Sequence, residues 1–277
     1  MEKIKLPNVR KMFVPDLGYV VFDCDLAGAD AQVVAWEAGD EDLKAAFRAG
    51  IDVHDKNATD MWGPSYTQLA GDKHGGPKKK KRQANKHAVH GTNYGGSPKA
   101  LAHHPAINWT VHEADKFQKR WFSLHPKIGP VTKPGTWHWR IQREIDTAKR
   151  VTNKFGYHRI YFDRPDSVFT EALAWVPQST VALVTFYGAI QLESSFLLPK
   201  KLSRIALQRD GNPNIQILLQ NHDSLVFQTR RCDAYRTDEM KKLLEVKIPY
   251  DDPLIIPWGF AKSEVSWGDA AEIKEAA

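Results

Sequence analysis

Cysteine is scarce: Cys24 and Cys232 are the only two in 277 residues, far apart and in no Cys-x-x-Cys pair. That argues against a zinc knuckle and for a reducing compartment. His103-His104, His112-Glu113 and Trp137-His138-Trp139 supply no full ligand set at a familiar zinc spacing, so they read as surface or core histidines. The chain has no Gly-x-x-x-x-Gly-Lys-Ser/Thr phosphate loop, which leaves an ATPase with little support. No apolar run reaches transmembrane length, and the longest, around Val181 to Ile190, is short and interrupted. Met1 to Met12 is charged and holds no apolar signal core. Internal repeats and obvious disordered linkers are also missing, so a soluble intracellular protein is expected.

What is present is enough for a folded core. Apolar residues make up 42% of the chain, with nine Trp and twelve Phe, and the length suits one large domain or two smaller ones. Lys and Arg exceed Asp and Glu by 39 to 33, and part of the excess is concentrated in the run Lys78 to Arg82. A polyanionic partner fits that run; a solvated lysine face is the plainer alternative. Immediately after it, Arg82, Lys86, His90 and Tyr94 recur every four residues. One helix face therefore carries two cations, an imidazole and a phenol. Cations suit phosphates and flat rings suit a base or sugar, and Gly91 and Gly95 permit close approach.

Around that stripe, Gly18 to Asp25 reads as a buried strand, Asp40 as the N-cap of a helix to Ala49 stopped by Gly50, and Val53 to Trp62 as a short helix containing a structural His54. Gly63 to Gly76 reads as a loop, Pro77 to Tyr94 as the striped helix, and Trp109 to Leu124 and Trp137 to Lys149 as helices either side of a Pro/Gly break. Arg150 to Phe162 reads as a hairpin, and Ser167 to Glu193 as a buried helix despite Pro177. Ile215 to Gln220 and Leu225 to Thr229 read as strands of a second hairpin with Asn221-His222-Asp223-Ser224 at its tip. Thr237 to Val246 reads as a helix, and Asp210-Gly211-Asn212-Pro213 as a turn. Asp25 and Asp223 thus fall at strand ends, where carboxylates are commonly caps but can also hold a pair of divalent ions. Asp23 shares the face of Asp25 and competes with it. Hard oxygen ligands favour magnesium.

The striped helix resembles motif B of family A DNA polymerases: Arg, three residues, Lys, three residues, an aromatic, three residues, Tyr-Gly. Asp25-Leu26-Ala27-Gly28-Ala29-Asp30 resembles motif A, and Asn221-His222-Asp223-Ser224 resembles motif C, in the right order. Ala38 to Leu43 and Ala45 to Phe47 resemble the segment after motif A, and Ser266-Trp267-Gly268 resembles phage members. The likeness runs from about Leu6 to Gly268. It implies an α+β fold, a polymerase palm with an antiparallel sheet plus a helical fingers subdomain. Palm would occupy residues 1–52 and 150–277, and fingers residues 53–149.

The resemblance also implies roles. Asp25 and Asp223, with the Leu26 carbonyl, would hold two Mg2+ ions. Arg82 and Lys86 would bind the triphosphate of an incoming dNTP, His90 would pack beside base and sugar, and Tyr94 would line the pocket near the templating base. Asp30 would stand where the family has the Glu that crowds the ribose 2′-hydroxyl. His222 would approach the primer terminus, and Gln178 the minor groove. Departures include His90 for Phe or Tyr, Asp30 for Glu, Gln32 for Arg and Ser224 for the second motif C acid; the DNA-contacting Arg and Asn near Glu171 to Ala174 are missing. Some 24 residues precede Asp25, too few for thumb and exonuclease, so a separately encoded N-terminal half or an excised fragment is expected. The expected partners are primer-template DNA and dNTPs, with no membrane, in the cytoplasm of a bacterial host. The alternatives left open are a non-catalytic DNA-binding remnant and a two-metal nuclease.

Overall fold

The computed structural model describes residues 7–196 and 215–273, so the turn expected at Asp210 to Pro213 lies outside the described residues. The chain divides into two compact units, one formed by Met1–Ala29 with Val181–Ala277 and the other by Asp30–Thr180.

The first unit is built on β1 (Tyr19–Leu26), whose alternation sends Val20, Phe22, Cys24 and Leu26 to a fully buried face and Asp23 and Asp25 to the other. On one side it pairs antiparallel with β5 (Ser224–Arg230), which forms a hairpin with β4 (Ile215–Asn221). On the other side lies β8 (Trp258–Ser263), followed by β9 (Ala271–Glu272), giving the order β4-β5-β1-β8-β9. The strand β8 is not legible in the sequence, because Trp-Gly-Phe-Ala-Lys-Ser has no clean alternation and follows Pro253 and Pro257. Phe22 stacks on Phe227 at 5.1 Å, with Phe260 edge-on at 6.2 Å from Phe22. Each such ring contributes about 1.5–3 kcal/mol by burial. Helix α10 (Thr237–Leu244) buries Met240 and Leu244, and the Trp258 indole N–H donates to the Leu244 carbonyl at 2.9 Å. A Cβ on Gly188 would come within 3.0 Å of that same carbonyl, so the close approach requires glycine. The short strands β6 (Lys247–Ile248) and β7 (Leu254–Ile255) pair with each other.

The second unit is helical. Its first helix, α1 (Ala29–Ala38), is buried along Gln32 to Trp36 and shows no amphipathic period, which hides it from a pattern reading. Asp40 caps α2 (Glu41–Arg48) and Asp52 caps α3 (Val53–Trp62), accepting from backbone amides as N-caps do. The expected loop after α3 contains a short helix, α4 (Pro64–Thr67), begun by proline at its tolerated position. The long helix α5 (Gly76–Asn93) buries Asn85, Ala88, Val89, Thr92 and Asn93, a single stripe at helical spacing. Its two buried asparagines accept the indole N–H groups of Trp62 (3.0 Å) and Trp121 (2.8 Å), which pairs both side-chain oxygens, while Asn85 Nδ2 and Thr92 Oγ1 stay buried without a partner. Helix α6 (Pro98–Ala102) leads to α7 (Val111–Leu124), opened by a Thr110/Glu113 capping box, and to α8 (Trp137–Ala148), capped by Thr136. The hairpin of β2 (Arg150–Thr152) and β3 (His158–Ile160) follows as expected.

Helix α9 (Pro165–Ser195) runs through Pro177 and across the division after Thr180. It is long and apolar enough to cross a membrane by length and composition, whereas the sequence analysis found no run of that length. Ala172, Leu173, Val176, Val181, Val184 and Leu192 are all buried along it, as in a core helix.

Candidate functional site

Within the first unit, the antiparallel register sets Asp25 opposite Ser224 on one side and Gly259 on the other. The Leu26 amide donates to the Asp223 carbonyl at 2.9 Å, which ties the two acidic positions together backbone to backbone. Asp223 lies in the two-residue tip between β4 and β5, beside His222 with φ 54°. A positive φ is what a primed hairpin turn requires, and a non-glycine residue there is held against its own preference. The carboxylates of Asp25 and Asp223 are both accessible, and His222 Nδ1 stands 3.6 Å from Asp223 Oδ1. Asp25 opens onto a cleft of about 450 Å³ whose lining includes Asp23, Lys241, Gly259 and Glu272. The neighbouring acid on that face, Asp23, pairs with Arg10 at 3.4 Å. Two accessible hard oxygen donors on neighbouring strand ends fit magnesium.

Within the second unit, the stripe flanks the buried face of α5. Lys86 and His90 are exposed, while Arg82 and Tyr94 are partly buried. Arg82 Nη2 donates to both carboxylate oxygens of Asp52, at 2.7 and 2.8 Å, while its buried Nε has no acceptor. Burial disfavours the Asp52 anion, but the Arg82 guanidinium and the Asp55 amide outweigh it and hold the carboxyl below its usual range. His90 and Tyr94 meet edge-on at 4.3 Å. The Tyr94 hydroxyl donates to Asp30 Oδ2 at 2.7 Å, linking the last residue of the stripe to the first turn of α1. Burial, then the Asp30 charge, pushes the Tyr94 phenol far up, so it stays a donor. Gly95 (φ 73°) leaves the helix where a Cβ would come within 3.0 Å of Leu173, so both backbone and space require glycine. Gln178 is exposed on α9.

His54 stands in the first turn of its helix, where the sequence reading placed it as a structural residue. It lies at the start of α3 in the charge field of Lys86, Arg82 and His90, which with burial lower its pKa to about 4. It is therefore a neutral imidazole beside the stripe. Its backbone amide donates to Asp52, two residues before it, whose carboxylate caps the helix and holds Arg82 at once.

A separate group, Asp40, Asp42 and His125, brings three potential ligand atoms within 4.8 Å of one another. Its members have other partners. Asp40 caps Leu43 and meets His125 Nδ1 at 3.0 Å, and Asp42 pairs with Lys56 at 2.6 Å. The group is an ion-pair network joining α2, α3 and the end of α7.

Comparison with known proteins gives one answer. The profile of DNA polymerase family A matches residues 2–263. The chain is 27% identical over 259 residues to a thermostable DNA polymerase I of Thermus filiformis, covering 92% of this chain and 28% of that protein. It is 24% identical to DNA polymerase I of Geobacillus stearothermophilus, covering 95% of this chain and again 28% of the relative. The chain thus spans little more than a quarter of these relatives' length. Among solved structures, the POL domain of Pol1 from M. smegmatis, in complex with DNA primer-template and dNTP, superposes with a TM-score of 0.70 at 18% identity. That match covers 95% of this chain and 42% of the other, and it speaks for the fold.

Proposed function

The chain belongs to DNA polymerase family A, and on that premise we propose that it carries the catalytic part of a template-directed DNA polymerase. The reaction joins a dNTP to a primer 3′-hydroxyl. The observation that carries this reading is the strand register: Asp25 and Asp223 end adjacent strands and are linked through the Leu26 amide. In this reading Asp25, the Leu26 carbonyl and Asp223 would hold two Mg2+ ions. Bound magnesium supplies a lowered pKa at the primer hydroxyl and charge neutralisation at the phosphates.

The rest falls to the chain's own side chains. Arg82 and Lys86 bind the triphosphate, and the unsatisfied Nε of Arg82 offers a donor that a phosphate oxygen can meet. His54, kept neutral, can donate a hydrogen bond to the same phosphates without adding charge. His90 offers its ring beside base and sugar, Tyr94 lines the pocket for the templating base, and its hydroxyl orients Asp30 toward the ribose 2′ position. His222 approaches the primer terminus and Gln178 the minor groove. Primer-template DNA and dNTPs are the partners. Palm residues are 1–52 and 150–277, and fingers residues 53–149.

The second reading is a non-catalytic DNA-binding remnant, favoured by the Arg82–Asp52 pair, which keeps the guanidinium engaged. Primer extension with magnesium separates the two. The chain is assayed alone and with the preceding portion of a relative supplied in trans. Extension that Asp223→Ala abolishes supports the polymerase; DNA binding without extension in either mixture supports the remnant. Primer degradation sensitive to Asp25→Ala would instead support a nuclease.

A further inference from the structure

We infer that a ring-lined cavity in the helical unit, distinct from the Arg82–Tyr94 stripe, is a stacking site for an unpaired base of single-stranded DNA. The cavity measures about 510 Å³, and its walls include Trp62, Trp109 and Phe117. It is a cleft open to solvent, the size of a pocket for a small organic ligand. The three rings stand 5.0 to 5.9 Å apart, and Trp62 and Trp109 are only partly buried. The Trp62 ring is held in place through its N–H bond to Asn85, so the site is preorganised.

Cations rim the rings. Lys81 Nζ lies 4.8 Å over the Trp62 ring and is held by the Ser65 carbonyl and hydroxyl, both at 3.0 Å. Lys116 and Arg120 are exposed on α7, and Arg120 keeps one nitrogen on the Asp60 carbonyl at 2.8 Å. The one carboxylate in the lining, Glu113, accepts from the Thr110 amide and hydroxyl at 2.7 and 2.8 Å and serves the helix cap. On α5 the cavity takes Lys81 and Ala84, three residues apart, whereas the stripe takes Arg82, Lys86 and His90, so the two sites use different sides of one helix. Exposed Lys79 and Lys80 continue the positive charge from Lys81.

Fixed rings with flanking cations form the recognition surface for single strands: bases stack on the rings and phosphates meet the cations without sequence preference. Duplex bases are already stacked and paired, so only an unpaired base can enter. The choice of DNA as the strand rests on the polymerase reading; the stacking geometry does not.

The test uses the full chain, with oligo(dT) and a blunt-ended duplex as probes in fluorescence anisotropy. Trp109→Ala and Lys116→Glu should each weaken oligo(dT) binding on the order of tenfold, and leave blunt-duplex binding unchanged. Lys116→Ala should lower the salt slope of oligo(dT) binding by about 0.7, the loss of one phosphate contact. Trp109→Phe, which keeps a ring, should retain most of the affinity. Circular dichroism melts check that the variants fold, and because Lys116 is exposed, its variants stand if Trp109→Ala does not fold. In protein carrying 5-fluorotryptophan, the Trp62 and Trp109 signals should shift on adding oligo(dT). Unchanged oligo(dT) affinity in Lys116→Glu and in a folded Trp109→Ala overturns the inference, as does an equal loss for duplex. Indole signals that ignore DNA but move with an acidic, aromatic peptide would assign the cavity to a protein partner and overturn it too. Loss of primer extension alongside intact, ring-dependent oligo(dT) binding would refute the polymerase reading and leave this site standing.

Discussion

Asp52 does two things that one substitution can separate. Its carboxylate caps α3 through the amides of His54 and Asp55, both at 3.1 Å, and pairs with Arg82 at 2.7 and 2.8 Å. Asn keeps an oxygen for the cap and loses the charge. A hydrogen bond involving charged groups is worth about 1.5–3 kcal/mol. The Asp52 side chain is 34% exposed and Arg82 12%, so solvent screens part of this and about 1–2 kcal/mol remains. Asp52→Ala also loses the cap, about 1 kcal/mol more. Urea unfolding of Asp52→Asn, Arg82→Ala and the double variant should give a coupling of about 1–2 kcal/mol. If Arg82 binds the triphosphate as proposed, the same energy opposes any phosphate contact that draws Nη2 away from Asp52. Asp52→Asn should therefore tighten binding of a fluorescent dNTP by about 5- to 30-fold while destabilising the fold. The folded pKa of Asp52 is lowered, so the pair's contribution is present above the unfolded carboxyl pKa and is lost as pH falls through the folded value. The destabilisation by Asn should hold constant from neutral pH down to about pH 5 and shrink below about pH 4. A coupling under about 0.3 kcal/mol, or weaker dNTP binding in a well-folded Asp52→Asn protein, would refute this account.

Other consequences are open to similar tests. Gly95→Ala forces a Cβ onto a φ of 73° and within 3.0 Å of Leu173, and should cost about 2 kcal/mol or more in urea melts; a neutral result would mean that the turn after α5 can rearrange. Tyr94→Phe removes the donor to Asp30, whose other oxygen is already buried without one, and should cost about 1–3 kcal/mol by the same measurement. His54 and His138 both have pKa values lowered to about 4, chiefly by burial, with Lys86 and Arg82 adding to the effect at His54. A lowered histidine pKa stabilises the fold above the unfolded value of about 6.5, and that stability drains as pH falls toward 4, by up to about 3 kcal/mol for each residue. Denaturant titrations between pH 7 and 4.5 should show a shallower decline in His54→Gln; an unchanged slope would remove His54 from the balance.

Much of the architecture was legible because local physics decides it. Asp40 caps its helix as expected, the caps Thr110 and Thr136 appear only in the structure, and the hairpin around Asn221 to Ser224 announces itself by polar residues between two apolar strands. The four-residue spacing from Arg82 to Tyr94 required a helix with those side chains along one side, and α5 buries the neighbouring side through Asn85, Ala88, Val89, Thr92 and Asn93. Several elements escaped, α4 and α6 among them, and two show why. Helix α1 is buried with no polar face to mark a period, and β8 is short, glycine-containing and preceded by prolines, so only its pairing with β1 makes it a strand. The candidate acids Asp25 and Asp223 could be named from position, but strand alternation alone could not separate Asp25 from Asp23, which share a face.

Spacing, capping chemistry and hydrophobic pattern act over a few residues, so the sequence by itself determined most of the longer helices, the two hairpins, the stripe and the three ordered motifs. Tertiary structure decided everything that depends on partners distant along the chain. Arg82 is held by Asp52 from thirty residues away, Tyr94 orients Asp30 from sixty-four, and His54 stays neutral because the fold buries it and brings the cations of α5 alongside. Charge state and side-chain orientation are set by burial and by neighbours in space, and no linear pattern records those distances.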